Sequence, residues 1–273
     1  MKNKRRTIVV VFLLALMVAV TYLPMGVLTV YSFTDAKTLG VWNGFTFSLY
    51  ADLFGDAEIM GALLNSIVIG LIASVLAVIM GTFASIGINN LKRLPKMVAE
   101  GVNQITMVNA DIVTAVGFML LFLLWIKIPS DYVKLIIAHT MICTPYVVMS
   151  VLPRLSQLNP NTYEAALDLG AKPMRAILTV ILPQLLPGII AGFALAFTIS
   201  LDDYTISTLV GSDVDTIPKY LYTKLKVKGI SPVLRALSVV IMVAIMLVLI
   251  VINVSSSRME KKRKQLEKMI GRS

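Results

Sequence analysis

The 273-residue sequence has one cysteine and one histidine, and only 15% of its residues are charged. Each shortage removes a class of function. A single cysteine, Cys143, excludes an internal disulfide framework and any multi-cysteine metal site. His139 lies one helical turn before it on the same apolar run, and a lone Cys and His at that spacing make a poor metal site. The pair reads as interior packing with one polar handle. No Gly-Lys dipeptide occurs, so a phosphate-cradling loop is absent and any nucleotide energy must come from another subunit. No Ser, His and Asp are placed for nucleophilic catalysis, and the acids Asp213 and Asp215 have no histidine near them. The expectation is therefore no catalytic residue, no metal and no cofactor held by this chain. The scarcity of charge excludes most. Soluble domains carry roughly 25% charged residues, so a water-soluble enzyme is the first class to go.

What fills the space is hydrocarbon. Hydrophobic residues make up 57% of the chain and its mean hydropathy is +0.83. Apolar runs at 7–31, 61–88, 105–126, 132–152, 177–201 and 233–254 each approach or exceed the ~20 residues that cross a bilayer as a helix. The first run follows Lys2, Lys4, Arg5 and Arg6 but is too long for a signal peptide and lacks a small-x-small cleavage site, so it reads as an uncleaved helix. The fold class expected is all-α, a polytopic membrane protein of six transmembrane helices forming one domain over 1–273. Six spans put both ends on one side. Seventeen of the 25 basic residues lie in the N-terminal tail, the loops at 92–100 and 154–175, and the basic C-tail 255–273, whereas only 5 of the 15 acids do. Basic residues gather in cytoplasmic segments, so both termini are expected to be cytoplasmic. The net charge of +10 is thus a topological signal and implies contact with membrane lipid, with no nucleic-acid partner. On the outer side, 32–60 contains Trp42, Phe45, Phe47, Tyr50 and Leu53, which suits a segment at the membrane surface, and 202–232 is expected to fold back on the outer face.

The most informative loop is the cytoplasmic one between spans four and five. Asn161 is placed to cap a helix whose third residue, Glu164, reaches back to it in a capping box. Gly170 suits a left-handed stop, and Pro173 the first turn of the next helix. A short helix over 161–170 follows, with small Ala165 and Ala166 permitting close approach of another surface. On these features alone it is a surface helix or a docking element. In span five, Pro183 and Pro187 free backbone carbonyls, and Gly188 and Gly192 permit close helix contact.

Glu164-Ala165-Ala166, Gly170 six residues after the Glu, and Leu182-Pro183 twelve and thirteen further on resemble the EAA loop of ABC-importer permeases, with Val180 where Ile is usual. Ala62-Leu63-Leu64-Asn65-Ser66 and Gly81-Thr82 match the general permease pattern. Ile137 to Thr140 with Cys143 to Val148, Phe197 to Asp203, and Gly229-Ile230-Ser231-Pro232 are similar to the C-type permeases of spermidine/putrescine importers. Asp111-Ile112-Val113 resembles a family motif but has Ala110 in place of the usual proline. The resemblance implies a type I ABC-importer permease fold in a bacterial inner membrane, with Glu164, Ala165, Ala166, Gly170, Leu182 and Pro183 coupling to the ATPase. It also implies a second homologous permease, two ATPase subunits that bind the ATP and Mg, and an extracytoplasmic polyamine-binding protein.

The acids bear on the cargo. Charge within a bilayer costs about 2.5–3.5 kcal/mol per residue, so an acid kept there needs a partner or a wet cavity. Asp111 is expected six residues into span three, either as a packing group or as a carboxylate on the substrate path. Asp202 and Asp203 end span five, either as an ordinary polar helix end or as a paired anionic site for a polyamine's ammonium groups, with Tyr204 adding a cation–π face. No Lys or Arg lies in the middle of any span, which favours a cationic substrate over an anion. Permeases for ferric iron, thiamine or an aminophosphonate are the nearest alternatives; a stand-alone transporter or channel and a membrane scaffold belong to different classes.

Overall fold

The computed structural model describes residues 2–36, 38, 40–159, 161–228, 231–247, 250 and 254, and the side chains of 2–9 and 226–228 lie outside that description. Gly229, Ile230 and the basic tail 255–273 also lie outside it. All regular structure among the described residues is helical. In chain order the helices are α1 Lys2–Tyr31, α2 Ser48–Gly55, α3 Ala57–Asn89, α4 Arg93–Val108, α5 Asp111–Leu120, α6 Asp131–Ser156, α7 Asn161–Asp168, α8 Pro173–Ala176, α9 Leu182–Asp202, α10 Thr205–Val210 and α11 Ile217–Lys228. A last apolar helix, α12, covers Pro232–Leu247. Wide π turns at Leu121–Trp125 and Ile177–Ile181 extend α5 and join α8 to α9.

Four stretches are single helices long and apolar enough to cross a membrane: Val10–Tyr31, Ala57–Asn89, Asp131–Ser156 and Pro173–Asp202. These agree with four of the six expected spans. The third expected span, 105–126, is not one helix. The chain runs helically from Arg93, breaks at Asn109 and Ala110, and resumes at Asp111 with a bend of 98° between Arg93–Val108 and Asp111–Trp125. Both break residues have extended ψ angles, 141° and 131°. The Ala110 carbonyl accepts from Val113 and Thr114, and Asn109 Nδ2 donates to Thr114 Oγ1 at 2.9 Å. The break therefore forms without the proline that is usual at position 110, with a side-chain bond from Asn109 to Thr114 across it. The last expected span, 233–254, is described as 16 helical residues of α12.

The chain divides into two compact units, Met1–Met60 with Leu221–Met246 and Gly61–Tyr220 with Leu247–Ser273. In the first, Phe33 stacks on Phe45 at 5.2 Å and meets Phe47 and Tyr50, while Tyr50 Oη and Ser32 Oγ share a 2.7 Å hydrogen bond. Of the aromatics expected at the membrane surface, Phe45, Phe47 and Tyr50 thus gather around Phe33, while Trp42 meets Tyr31 edge-on. Arg235 on α12 is 2% exposed and donates to the backbone carbonyls of Tyr31 and Ala36, which ties the segment after α1 to α12.

The second unit holds the features of interest. One apolar cluster joins α3, α5, α6 and α10 through Ile69, Ala115, Phe122, Leu135, Ile206 and Val210. A second joins α3, α6 and α9 through Ala77, Val147, Val151, Leu155, Leu185 and Ala196. Lipid supplies no hydrophobic drive between helices, so such contacts rest on close packing, which small residues permit. A Cβ built on Gly81 would lie 2.7 Å from Val147 Cβ, and one on Gly192 would lie 3.3 Å from Val147 Cα. Val147 is wedged between two glycines, one on α3 and one on α9. Gly87, by contrast, has open space where a Cβ would stand. Gly81→Ala is expected to destabilise the purified chain by about 1–3 kcal/mol through overpacking, whereas Gly87→Ala should be neutral or gain up to ~1 kcal/mol of helix propensity. Thermal unfolding in detergent, compared between the two variants, checks the difference.

Candidate functional site

The loop after α6 folds as a short helix held at both ends. At its start Asn159 Oδ1 accepts from the Asn161 amide at 3.0 Å, and the Asn159 carbonyl accepts from Thr162 at 3.1 Å. Asn161 is the first helical residue, so the expected cap at 161 is corrected: Asn159 does this work. At the other end Gly170 has φ +84°, Ala171 N–H bonds to the Ala166 carbonyl at 3.0 Å and Gly170 N–H to the Leu167 carbonyl at 2.8 Å. That is a Schellman closure, in which glycine takes the left-handed angle without a Cβ penalty. Eight residues of helix are marginal alone. Tyr163 and Leu158 pack against the cluster containing Leu155, Ile181 and Leu185, which anchors α7 to α6 and to the head of α9.

This anchoring sorts the faces of α7. Tyr163, Ala166 and Leu167 are half-buried, whereas Asn161, Glu164, Ala165, Asp168 and Leu169 are exposed. The exposed set repeats at three- and four-residue steps and so lies on one side of the helix. Leu169 is 90% exposed, an apolar knob beside a small alanine and two acids. Glu164 and Ala165 stand on this face and Ala166 beneath it. Leu182 and Pro183 open α9 after the π turn that packs on α7, with Leu182 half-buried and Pro183 exposed. Gln184 Nε2 donates to the Val180 carbonyl at 2.9 Å, one backbone acceptor satisfied by a side chain in this proline-containing stretch. Next to α7 lies a cavity of about 500 Å³ lined in part by Asn89, Lys96, Ser156, Asn159, Tyr163 and Glu164. Asn89 Oδ1 accepts from Lys96 Nζ at 3.1 Å and from Ser156 Oγ at 3.5 Å within it.

The acids separate into different roles. Asp111 is the exposed first residue of α5, at the helix break rather than within a continuous span. A carboxylate there faces the positive end of the helix dipole. Asp202 is exposed at the end of α9. Asp203 turns inward: its Oδ1 accepts from Ile206 N–H at 3.3 Å and its Oδ2 from Ser207 N–H at 2.9 Å and Ser207 Oγ at 3.2 Å. It caps α10, and its side chain is 8% exposed. The repulsion of two adjacent carboxylates is thus relieved by burying one among donors. Tyr204, half-buried, bridges α9 and α10, and its carbonyl accepts from Thr208. Asp111 and Asp202 sit on different helices, with α5 packed against the α10 that follows Asp203.

The segment after α9 folds back onto α3. Asn65 Nδ2 donates to the Asp215 carbonyl at 2.9 Å, Tyr132 Oη donates to Asn65 Oδ1 at 2.6 Å, and Ser66 Oγ accepts from the buried Ile217 N–H at 2.7 Å. Lys219 Nζ gathers the carbonyls of Gly211, Ser212 and Val214. Asn65 and Ser66 therefore clamp 215–217 to α3, a role that the spacing of the motif did not reveal because the partner is 150 residues away. Leu169 was missed as well; its signal was an apolar residue set directly against the glycine stop of a polar helix. Among the described residues no group of three His, Cys, Asp or Glu can hold a metal ion.

Residues 73–264 match the family model described as binding-protein-dependent transport system inner membrane component. The chain is 33% identical to the spermidine/putrescine transport system permease protein PotC of Haemophilus influenzae, covering 86% of this chain and 91% of that one. It is 34% identical to the putrescine transport system permease protein PotI of Escherichia coli, covering 89% and 88%. Among solved structures it is similar to a chain of a bacterial ABC transporter involved in import of the acidic polysaccharide alginate, with TM-score 0.68 at 17% identity over 93% of this chain and 96% of that one. A chain of the MetNI methionine ABC transporter in an inward-facing conformation gives TM-score 0.59 at 13% identity over 74% and 95%. The last two speak for the fold alone.

Proposed function

The chain belongs to the family of binding-protein-dependent transport system inner membrane components, and from that premise we propose that it is the permease subunit of an ATP-driven polyamine importer. It is a transport subunit of the inner membrane rather than an enzyme. The reading of spermidine or putrescine as cargo rests on one observation, the likeness along nearly nine-tenths of the chain to permeases named for those substrates. The exposed acid at Asp202 and the absence of mid-span cations agree with it.

In this reading the chain supplies six spans: the four long helices, the bent pair α4–α5, and α12 with the residues after it. An even number places both basic ends on the cytoplasmic side. The partners are a second related permease, two ATPase subunits and an external binding protein. ATP and Mg belong to the ATPase, and no cofactor is assigned to this chain. The binding protein delivers the polyamine to the outer face, where Asp202 meets an ammonium group and Tyr204 adds an aromatic face; Asp111 meets the cargo later at the break between α4 and α5. Asp203 supports the site by capping α10. On the inner face Glu164, Ala165 and Leu169 present the surface of α7 to the ATPase, with Ala166, Gly170, Leu182 and Pro183 shaping and anchoring it. Closure of the ATPase pair pushes on α7, which is packed on the π turn at the head of α9 and follows directly from α6, so both span helices move with it.

Uptake by cells carrying or lacking the chain tests the cargo. Loss of the gene should abolish the uptake of radiolabelled spermidine or putrescine that depends on this system and leave ferric iron, thiamine and 2-aminoethylphosphonate uptake unchanged. Loss confined to one of those three would replace the polyamine by that substrate.

A further inference from the structure

We propose that His139 is the positioning residue that holds the Asp203 carboxylate over the start of α10, and thereby fixes the break between α9 and α10 at which Asp202 stands exposed. His139 is on α6 and is 1% exposed, yet both of its ring nitrogens face polar groups from the end of α9. Nδ1 lies 2.6 Å from Ser200 Oγ, and Nε2 lies 3.5 Å from Asp203 Oδ2. A histidine buried in an apolar interior must have both ring nitrogens satisfied, and here both facing groups come from positions 200 and 203, one turn of the same helix end.

The surroundings of the ring assign its proton to Nε2, because a bare Nε2 lone pair would face the Asp203 carboxylate. A helical serine ordinarily returns its hydroxyl hydrogen to the carbonyl four residues back. For Ser200 that carbonyl is Ala196, which already accepts from the Cys143 thiol at 3.2 Å. The Ser200 hydroxyl is thus directed to His139 Nδ1, which acts as acceptor, and the ring hydrogen sits on Nε2. Nε2 is buried and has no hydrogen bond within normal limits, so Asp203 Oδ2 is the acceptor it faces. A buried donor left without a partner is costly, and a charged acceptor is the strongest available remedy. Asp203 in turn is aimed by this contact at the Ile206 and Ser207 amides that it caps. Cys143, one turn along α6, completes the chain by occupying the carbonyl that would otherwise compete for Ser200. Three side chains on two helices, Cys143, His139 and Ser200, thereby set the direction of one carboxylate. The hold itself depends only on this geometry; its consequence for uptake rests on the proposed contact of Asp202 with a polyamine.

Substitutions that keep one nitrogen position at a time separate the hold from simple packing. Glutamine at 139 places an amide near the Nε2 position, asparagine near the Nδ1 position, and leucine keeps bulk without either. Hydrogen exchange of the 203–208 peptide is measured in the full-length chain in lipid nanodiscs for the parent, His139→Leu, His139→Asn and His139→Gln. Exchange at the Ile206 and Ser207 amides should rise about tenfold in the Leu and Asn variants and stay within about twofold of the parent in the Gln variant. Equal rates in all four proteins, or equal acceleration in all three variants, would overturn the proposal, as would rescue by asparagine and not by glutamine. Uptake of radiolabelled spermidine by cells carrying the same variants should fall in the same order. The expected exchange order with unchanged uptake would leave the hold standing and remove Asp202 from the cargo path.

Discussion

Replacing Glu164 by lysine is expected to reduce the stimulation of ATP hydrolysis by cargo-loaded binding protein by about tenfold or more, with the importer still assembled. Glu164 lies on the exposed face of α7, between Asn161 and Asp168 and beside Ala165, with the 90% exposed Leu169 one turn further on. A lysine there inverts the charge of a face that a second surface must meet closely, and a mismatch of ~1.4 kcal/mol at such a contact is already a factor of ten. The change also sets a second cation in the cavity that Lys96 lines. The helix itself should survive, because its ends are secured by Asn159 and Gly170 and its inner face by Tyr163, none of which involves Glu164. Exposed substitutions of this kind shift stability by roughly 0.5 kcal/mol or less. ATPase assays on the reconstituted complex, with its subunit ratio checked by gel filtration, separate lost coupling from lost assembly.

The two acids at the end of α9 are expected to fail in different ways. Asp202→Asn should lower spermidine uptake about tenfold, the effect of ~1.4 kcal/mol, while leaving the amount of folded protein unchanged, since Asp202 is exposed. Asp203→Ala should act first on stability. It removes the acceptor for the Ile206 and Ser207 amides, and loss of a helix cap costs about 0.5–2 kcal/mol. It also leaves His139 Nε2 without the carboxylate it faces at 3.5 Å. A lower thermal midpoint for Asp203→Ala and an unchanged one for Asp202→Asn, measured on detergent-purified chains, is the result expected. Identical midpoints would mean that the cap bonds carry no stability.

Much of this was legible in the residues. Long apolar runs mark spans because every backbone polar group in a bilayer must be satisfied within its own helix, and four of those runs are continuous helices as expected. Gly170 was equally plain, since a left-handed stop leaves few alternatives to glycine. The break at Asn109 and Ala110 was not. Its flanks are apolar, proline is absent, and the signal is a single Asn whose side chain bonds to Thr114 only after the chain has bent. Asp203 carried a local cap signal, an acid three and four residues ahead of the amides it serves, but repulsion from Asp202 drew attention to the pair instead. The shift from Asn161 to Asn159 is a smaller case, two asparagines competing for one helix start. Long-range pairings were beyond reach: Asn65 with Asp215, Ser66 with Ile217, and His139 with Ser200 and Asp203 depend on which helices pack together.

The most direct test of the account is transport by the complete importer in sealed proteoliposomes, with binding protein and radiolabelled spermidine on the side of the outer face and ATP on the other. ATP-dependent accumulation above the external concentration, falling to background without ATP or with Glu164→Lys, is the result predicted. Spermidine equilibrating through the chain without ATP and without the ATPase subunits would contradict it.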